Sequence, residues 1–377
     1  MRNRRGVLAA GAAAVVSGCM APSPPPRPSP GRSIWFHTLS LDPGGGVFAV
    51  TVAEDVPGAV HGRQIALVDL DDLRAHPQRR VVAAPAPSEP GTWSENPRFA
   101  DDGGALYLSR FNAADQIQLG DRAPTRIVRV DVRTGRQDTV VEAPAWIMVD
   151  AILADGDETV LVCWQATMFQ ARRGRRANRR SWNPLRTLRL RNNVPVPGSD
   201  RLFEEIAPLG PLWAVPGFGL VFARRSPEIN PRRQPRIYVS LTLEDLRRGT
   251  CPEFTSMEAA FAHMGGRPGD LGACTLEVLR ALEIFRLEHT VMDSQARLLG
   301  ANEGAPEWVG LTDCDIRLDR AVALKSRSIQ SGEAGLETSP VAVFRGQTTP
   351  LKVELLGEVD FVPFVRTAFP RAERSQI

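Results

Sequence analysis

An all-β chain of repeated sheets set around one axis is predicted by three features of the sequence. Segments rich in Val, Ile and Leu are short and end at Gly, Pro or Asp, with 32 Gly and 31 Pro among 377 residues. Such spacing suits many strands joined by turns. Three stretches also align without a gap: "LSLDPGGGVFAV" (Leu39 to Val50), "PRFADDGGALYL" (Pro97 to Leu108) and "AILADGDETVLV" (Ala151 to Val162). Finally, a further strand recurs as "RQIALVDLDDLR" (Arg63 to Arg74), "TRIVRVDVRTGR" (Thr125 to Arg136) and "PRIYVSLTLEDLRRG" (Pro235 to Gly249).

Each aligned copy holds an apolar approach, a polar-Gly turn and an apolar strand. Asp-Gly or Gly-Gly between two strands suits a hairpin, because glycine takes positive φ cheaply. Two of the recurring strands are followed by a short apolar pair, "RRVVAAP" (Arg79 to Pro85) and "DTVVEAP" (Asp138 to Pro144), which completes a unit of four antiparallel strands. The copies start 58 and 54 residues apart, at Leu39, Pro97 and Ala151. A period near that of propeller blades implies units that bury their faces only against neighbours. A β-propeller over residues 33–364, with six blades, follows as the expected architecture. "SIWFHTL" (Ser33 to Leu39) is expected to close the ring by adding a strand to the last blade near Leu351–Phe364.

"PRFADDGGALYLS" followed by "IVRVDVRTG" resembles the PD40 repeat of the TolB-like β-propeller family. Ala100 stands where that repeat usually has Ser, and the Asp-Gly pair has become Asp101-Asp102-Gly103. The resemblance spans roughly Arg32 to Pro363 and is clearest in the first half. "LWAVPGFGLVFAR" (Leu212 to Arg224) keeps strand and turn without the acidic pair. "HTVMDSQARLLGAN" (His289 to Asn302) and "DIRLDRAVALKSR" (Asp315 to Arg327) are fainter.

The amino terminus reads as an export signal over residues 1–18. Arg2, Arg4 and Arg5 precede an uncharged, Ala-rich run from Gly6 to Gly18 that is too short to span a bilayer. "VSGC" (Val16 to Cys19) resembles the lipobox of bacterial lipoproteins, which implies that Cys19 becomes the lipidated terminus. "NRRGVL" (Asn3 to Leu8) resembles a twin-arginine signal, so Sec and Tat export both remain open. Residues 19–32 then form a tether. "APSPPPRPSPGR" (Ala21 to Arg32) is dense in proline and favours an extended spacer. Residues 365–377 read as a polar tail. Met20 is not the Asp associated with inner-membrane retention, which favours the periplasmic side of the outer membrane.

Lys and Arg number 46 against 43 acids, and removal of Arg2, Arg4 and Arg5 leaves the counts equal at 43. The basic balance belongs to the leader, so no nucleic-acid partner is expected. Apolar content of 43% and charged content of 24% fit a packed body. Two interruptions break the repeats. "FQARRGRRANRRSWNPLRTLRLR" (Phe169 to Arg191) includes Arg172, Arg173, Arg175, Arg176, Arg179 and Arg180, with no acid between Glu158 and Asp200. Guanidinium forks pair with phosphate or carboxylate, so these six are the anion-binding candidates, although an exposed loop in an Arg-rich, Lys-poor chain is the simpler reading. The second, residues 255–286, reads as a helical insertion with Thr255 and Glu258 as a capping box and Gly265-Gly266 as its stop. Cys251 and Cys274 flank it and are the candidate disulfide; Cys163 and Cys314 leave two other pairings possible.

No Gly-x-Ser-x-Gly nucleophile elbow occurs, and Asp101, Asp155 and Asp293 sit where turns want them. No catalytic residue and no cofactor is therefore nominated. Some metal-dependent propeller lyases resemble these repeats and gather histidines at the ring mouth. That likeness makes His37 and His289, each followed by Thr, the metal candidates of a rival reading as a carbohydrate-active lyase or hydrolase. The main expectation is a binding or scaffolding module of the cell envelope, held to the membrane only by its lipid. Its mouth would take an envelope protein, a peptide or a glycan.

Overall fold

The computed structural model describes residues 33–55, 62–75, 91–166, 183–204, 212–215, 218–224, 237–264, 313–317, 320–326, 341–348 and 351–359, with a few single positions up to 368. Among them the chain is mostly β, in five antiparallel sheets that follow one another in sequence. The first contains β1 (Ser33–Leu41), β2 (Val47–Asp55) and β3 (Gly62–Asp69), followed by helix α1 (Leu70–Ala75). The second contains β4 (Thr92–Phe99), β5 (Ala105–Asn112), helix α2 (Ala113–Leu119), β6 (Thr125–Asp131) and β7 (Gln137–Ala143). The third contains β8 (Ile147–Asp155), β9 (Glu158–Gln165) and β10 (Leu185–Arg191). Two short strands, β11 (Val194–Pro195) and β12 (Arg201–Phe203), share the outer edge of β10.

The fourth sheet contains β13 (Trp213–Val215), β14 (Gly219–Arg224), β15 (Ile237–Thr242), helix α3 (Leu243–Arg248) and β16 (Glu253–Phe254), with helix α4 (Met257–His263) behind it. The last contains β17 (Asp313–Arg317), β18 (Arg320–Ser326), β19 (Val341–Thr348) and β20 (Leu351–Val359). First strands lie side by side: β1 against β4, β4 against β8, β8 against β13, and β1 against β17. This is the radial order of propeller blades.

The three aligned copies are the hairpins β1–β2, β4–β5 and β8–β9. In two of the turns an aspartate binds backbone, Asp42 accepting from the Gly44 and Val47 amides at 2.8 and 2.6 Å and Asp102 accepting from the Gly104 amide at 2.9 Å; in the third, Asp155 binds Arg189 and Arg247 instead. Side chains of successive sheets alternate toward opposite neighbours. Phe48, Val50 and Val52 of β2 join Leu356, Val359, Phe361 and Phe364 at the chain's end, whereas Ala49 joins Phe99, Leu106 and Leu108 of the second sheet. Tyr107 and Ile127 meet Val149 and Leu161, and Leu153 and Val162 meet Phe222 and Val239.

Several expectations are corrected. Ser33–Leu41 does not extend the last sheet; it pairs with β2 in the first. The last sheet is complete without it, and the two ends of the ring meet by apolar packing around Leu70, Leu73, Phe361 and Phe364. The ends of two supposed strands are helical turns. "LDDLRA" is α1, and "LEDLRR" is α3, nucleated by a capping box in which Thr242 and Asp245 exchange hydrogen bonds. Burial alone would raise the Asp245 carboxyl, yet hydrogen bonds from Thr242, Thr250 and His263 outweigh it and hold it at about 2. The cap of α4 is Ser256, whose Oγ accepts from the Ala259 amide at 3.2 Å, not Thr255. Arg79–Pro85, His289–Asn302 and the insertion beyond Met264 lie outside the described residues.

Gly219 opens β14 with φ 149°, and a Cβ there would stand 2.0 Å from the Leu241 carbonyl oxygen. Gly156, with φ 63°, would place a Cβ in open space. Gly219→Ala is expected to cost at least about 2 kcal/mol because backbone must move, and Gly156→Ala about 1 kcal/mol from conformation alone. Thermal denaturation of the two variants checks the difference; equal losses would contradict it.

Candidate functional site

The interrupted pairing of the first strands sets the geometry of the mouth. Register slips between His37 and Leu39, between Glu95 and Arg98, and between Val149 and Ala151. These bulges fall at equivalent positions of the three copies and hold Thr38, Asn96 and Asp150. Thr38 has φ 40° and Asn96 φ 53°. Positive φ is costly for a β-branched residue, so neighbouring contacts must hold Thr38 in place. The Thr38 hydroxyl donates to Asn96 Oδ1 at 3.0 Å.

Arg98 ties three sheets together. Its Nε donates to the Asp150 carbonyl at 2.6 Å, its Nη2 to Asp150 Oδ1 at 2.9 Å, and its Nη1 to the Leu39 carbonyl at 3.2 Å. The Ser40 hydroxyl accepts from the Phe99 amide, and Asp101 Oδ2 accepts from the Ala154 amide. The near-constant offsets of these contacts show that first strands run parallel to one another. All of them therefore start at one end of the ring, the leading end, and turn back at the other, the hairpin end.

The leading end carries the aromatic side chains. Trp93 and Phe111 meet at 5.8 Å, Phe111 and Trp146 at 5.8 Å, and Trp146 and Trp164 at 6.1 Å, all edge to face. This geometry suits the ring quadrupoles. The Arg63 guanidinium lies 4.7 Å over the Trp93 ring and is bonded to Glu95, joining the first sheet to the second. Among the described residues, buried polar atoms without a protein partner are Arg63 Nε, Gln64 Oε1, Trp146 Nε1 and Arg224 Nε toward this end, Thr51 Oγ1 and Ser240 Oγ midway along their strands, and Arg189 Nη1 toward the other end. Interiors leave few such atoms, and each is a place where ordered water can complete the bonding.

The hairpin end is built from ion pairs. Asp155 holds Arg189 from its own sheet and Arg247 from α3, and Glu158 holds Arg189 and Arg191. A separate open cleft of about 470 Å³ lies away from the first strands. It runs between β7, at Thr139–Glu142, and the segment Pro195–Asp200, with Arg186 across it.

Of the residues nominated from the sequence, His37 lies in β1 opposite Thr51, beside the Thr38 bulge. His289, Cys19 and the six arginines Arg172, Arg173, Arg175, Arg176, Arg179 and Arg180 lie outside the described residues. The connection holding those arginines leaves β9 and returns to β10 at the leading end. Cys251 is a thiol pushed up to about 11 by burial, and Cys274 lies outside the described residues. Among the described residues no three His, Cys, Asp or Glu side chains stand together as a metal site.

Sequence reasoning passed over Arg98 and the tryptophans. Arg98 had a signal, because it occupies the place of Ser40 and Ile152 in the aligned copies. Trp93, Trp146 and Trp164 had none beyond residue type.

No protein-family model and no curated protein matches this chain. Solved structures do. An oligogalacturonate lyase in complex with manganese is 12% identical, covers 84% of this chain and 63% of its own, and gives a TM-score of 0.35. The oligogalacturonate lyase of Vibrio parahaemolyticus is 10% identical over 86% of this chain and 79% of its own, with a TM-score of 0.35. TolB of Acinetobacter baumannii is 14% identical over 55% of this chain and 41% of its own, with a TM-score of 0.33. The chain thus spans less than two thirds of the first lyase's length. The architecture stated above rests on strand order and inter-sheet contacts, not on these likenesses.

Asp150→Ala is expected to destabilise the protein by about 2–3 kcal/mol, since it leaves the mostly buried Arg98 without its carboxylate. Arg98→Met combined with Asp150→Ala should recover part of that loss. Urea denaturation of the single and double variants measures it; additive losses would mean that the pair does not couple the sheets.

Proposed function

We propose that this chain is a lipid-anchored, TolB-like propeller of the cell envelope that binds a partner at the leading end of its ring. The observation that carries this reading is the composition of that end. Edge-to-face aromatic rings from Trp93 to Trp164 and the Arg63–Glu95 pair lie there, with Arg63 Nε, Gln64 Oε1 and Trp146 Nε1 free to bond a ligand. The two acids nearest the first-strand bulges, Glu95 and Asp150, are each bound to an arginine. Such pairing suits recognition and rigidity better than proton transfer.

In this reading the ring has six blades, with a helical insertion at residues 255–286. Cys19 carries the lipid, the six arginines from Arg172 to Arg180 attract anionic groups, and Cys251 pairs with Cys274. The partner is an envelope protein, a peptide or a glycan on the periplasmic side of the outer membrane. Photo-crosslinking in intact cells tests the reading. A crosslinking residue in place of Arg63 should capture one defined envelope component, and the same residue in place of Asp131, at the hairpin end, should capture none. Equal capture at both ends would count against it.

The anchor is tested separately. A fatty-acid analogue fed to cells should label the wild-type protein and leave Cys19→Ser unlabelled; labelling of the variant would refute lipidation at this residue.

One second reading is a metal-dependent carbohydrate-active enzyme with His37 and His289 as its metal ligands. Metal analysis of purified protein separates the two. Stoichiometric metal lost on His37→Ala or His289→Ala would support the enzyme.

A further inference from the structure

The outer strand of the third sheet is broken in two. β11 and β12 both pair with β10, and the turn between them, Val196–Asp200, is pinned to Arg189 and Arg186. The Val196 amide donates to the Arg189 carbonyl at 2.8 Å, and the Arg189 amide donates to Ser199 Oγ at 3.2 Å. Arg186 grips Asp200 through both Nε and Nη2. Between this turn and β7 lies the open cleft of about 470 Å³, with buried Val140, Val141 and Leu188 among its lining. One wall is therefore already rigid before anything binds.

The other wall is the edge of a sheet. Among the described residues, the backbone of β7 is bonded only to β6. Such an edge is a row of N–H and C=O groups able to pair with another extended chain. The pairing of β6 with β7 slips between Ile127 and Val128, which leaves Val140 as an extra residue in the same apolar cluster as Val141. A bulge bends the edge, so a few residues can pair along it and open-ended growth of a sheet is discouraged.

Charge decides what the cleft selects. Its charged lining is two acids against one arginine, and Arg186 is already matched by Asp200. Glu142 is exposed and makes no ion pair among the described residues, although Arg126 stands opposite it in register on β6. Val141 is buried and Glu142 exposed, as successive strand residues on opposite faces. A strand added beside them alternates in the same way, apolar toward Val141 and basic toward Glu142. Leu202, paired with Arg186 and so on the same face, adds an exposed apolar side chain beside the cleft.

We infer that this lateral cleft is a second binding site, which takes a short extended peptide of alternating apolar and basic residues. The peptide backbone pairs with the edge of β7, its apolar side chains lie over Val141 and Leu188, and its cation faces Glu142. The site lies apart from the mouth, and its success or failure leaves the reading of the mouth untouched.

The test uses the purified full chain and a fluorescein-labelled pentapeptide of alternating Val and Lys, read by fluorescence anisotropy. The peptide should bind, and Glu142→Arg should weaken binding about fivefold, since an opposite-charge neighbour becomes a like-charge one. The same variant should favour a peptide of alternating Val and Glu. Its melting temperature should not change, because Glu142 is exposed. Methylating one alternating set of peptide amides should abolish binding, and methylating the other set should leave most of it, because a strand bonds each neighbour through one edge. A photoreactive form of the peptide should crosslink to residues 139–142 or 195–200. No binding, indifference to Glu142→Arg, equal response to the two methylations, or crosslinks confined to the mouth would each overturn the proposal.

Discussion

The constraint beneath this structure is that strands such as β5 and β14 have no face to show to water. Seven of the eight residues of β5 are buried, and so are five of the six residues of β14. Strands buried on both sides need a layer on each side. A single three- or four-stranded sheet cannot provide that, but a series of them can. Each apolar cluster is accordingly an interface between two sheets and not the interior of one. Arg98, bonded to Leu39 on one side and Asp150 on the other, adds direction to this otherwise non-directional packing.

Much of the fold was legible because hairpin chemistry is local. The Asp and Gly residues between β1 and β2, β4 and β5, and β8 and β9 act within five residues of one another, so their pattern survives in the sequence. The destination of Ser33–Leu41 was not legible. An inner and an outer strand have the same alternation, and only the far end of the chain decides which is needed. The one-turn helices α1 and α3 were also missed. "VDLDDLR" and "TLEDLRR" continue an apolar spacing that reads equally as strand, and the Thr242–Asp245 exchange that favours helix is four residues long.

The mouth was the least legible part. Thr38, Asn96 and Asp150 share a position but not a residue type, and what they share is a break in pairing. Backbone geometry of this kind leaves no compositional trace, and the aromatic contacts of the leading end join residues 18 to 35 apart in the chain. Conversely, the arginine run is plain in the sequence and lies outside the described residues.

The meeting of the first and last sheets through side chains alone bears on the order in which the molecule is assembled. Hairpins β1–β2, β4–β5 and β8–β9 each form from contiguous residues, so the arc can lengthen as the polypeptide emerges. Leu70 and Leu73 nevertheless wait for Phe361 and Phe364, nearly three hundred residues later. Until those two aromatics arrive, the first sheet keeps an oily flank bare and open to association.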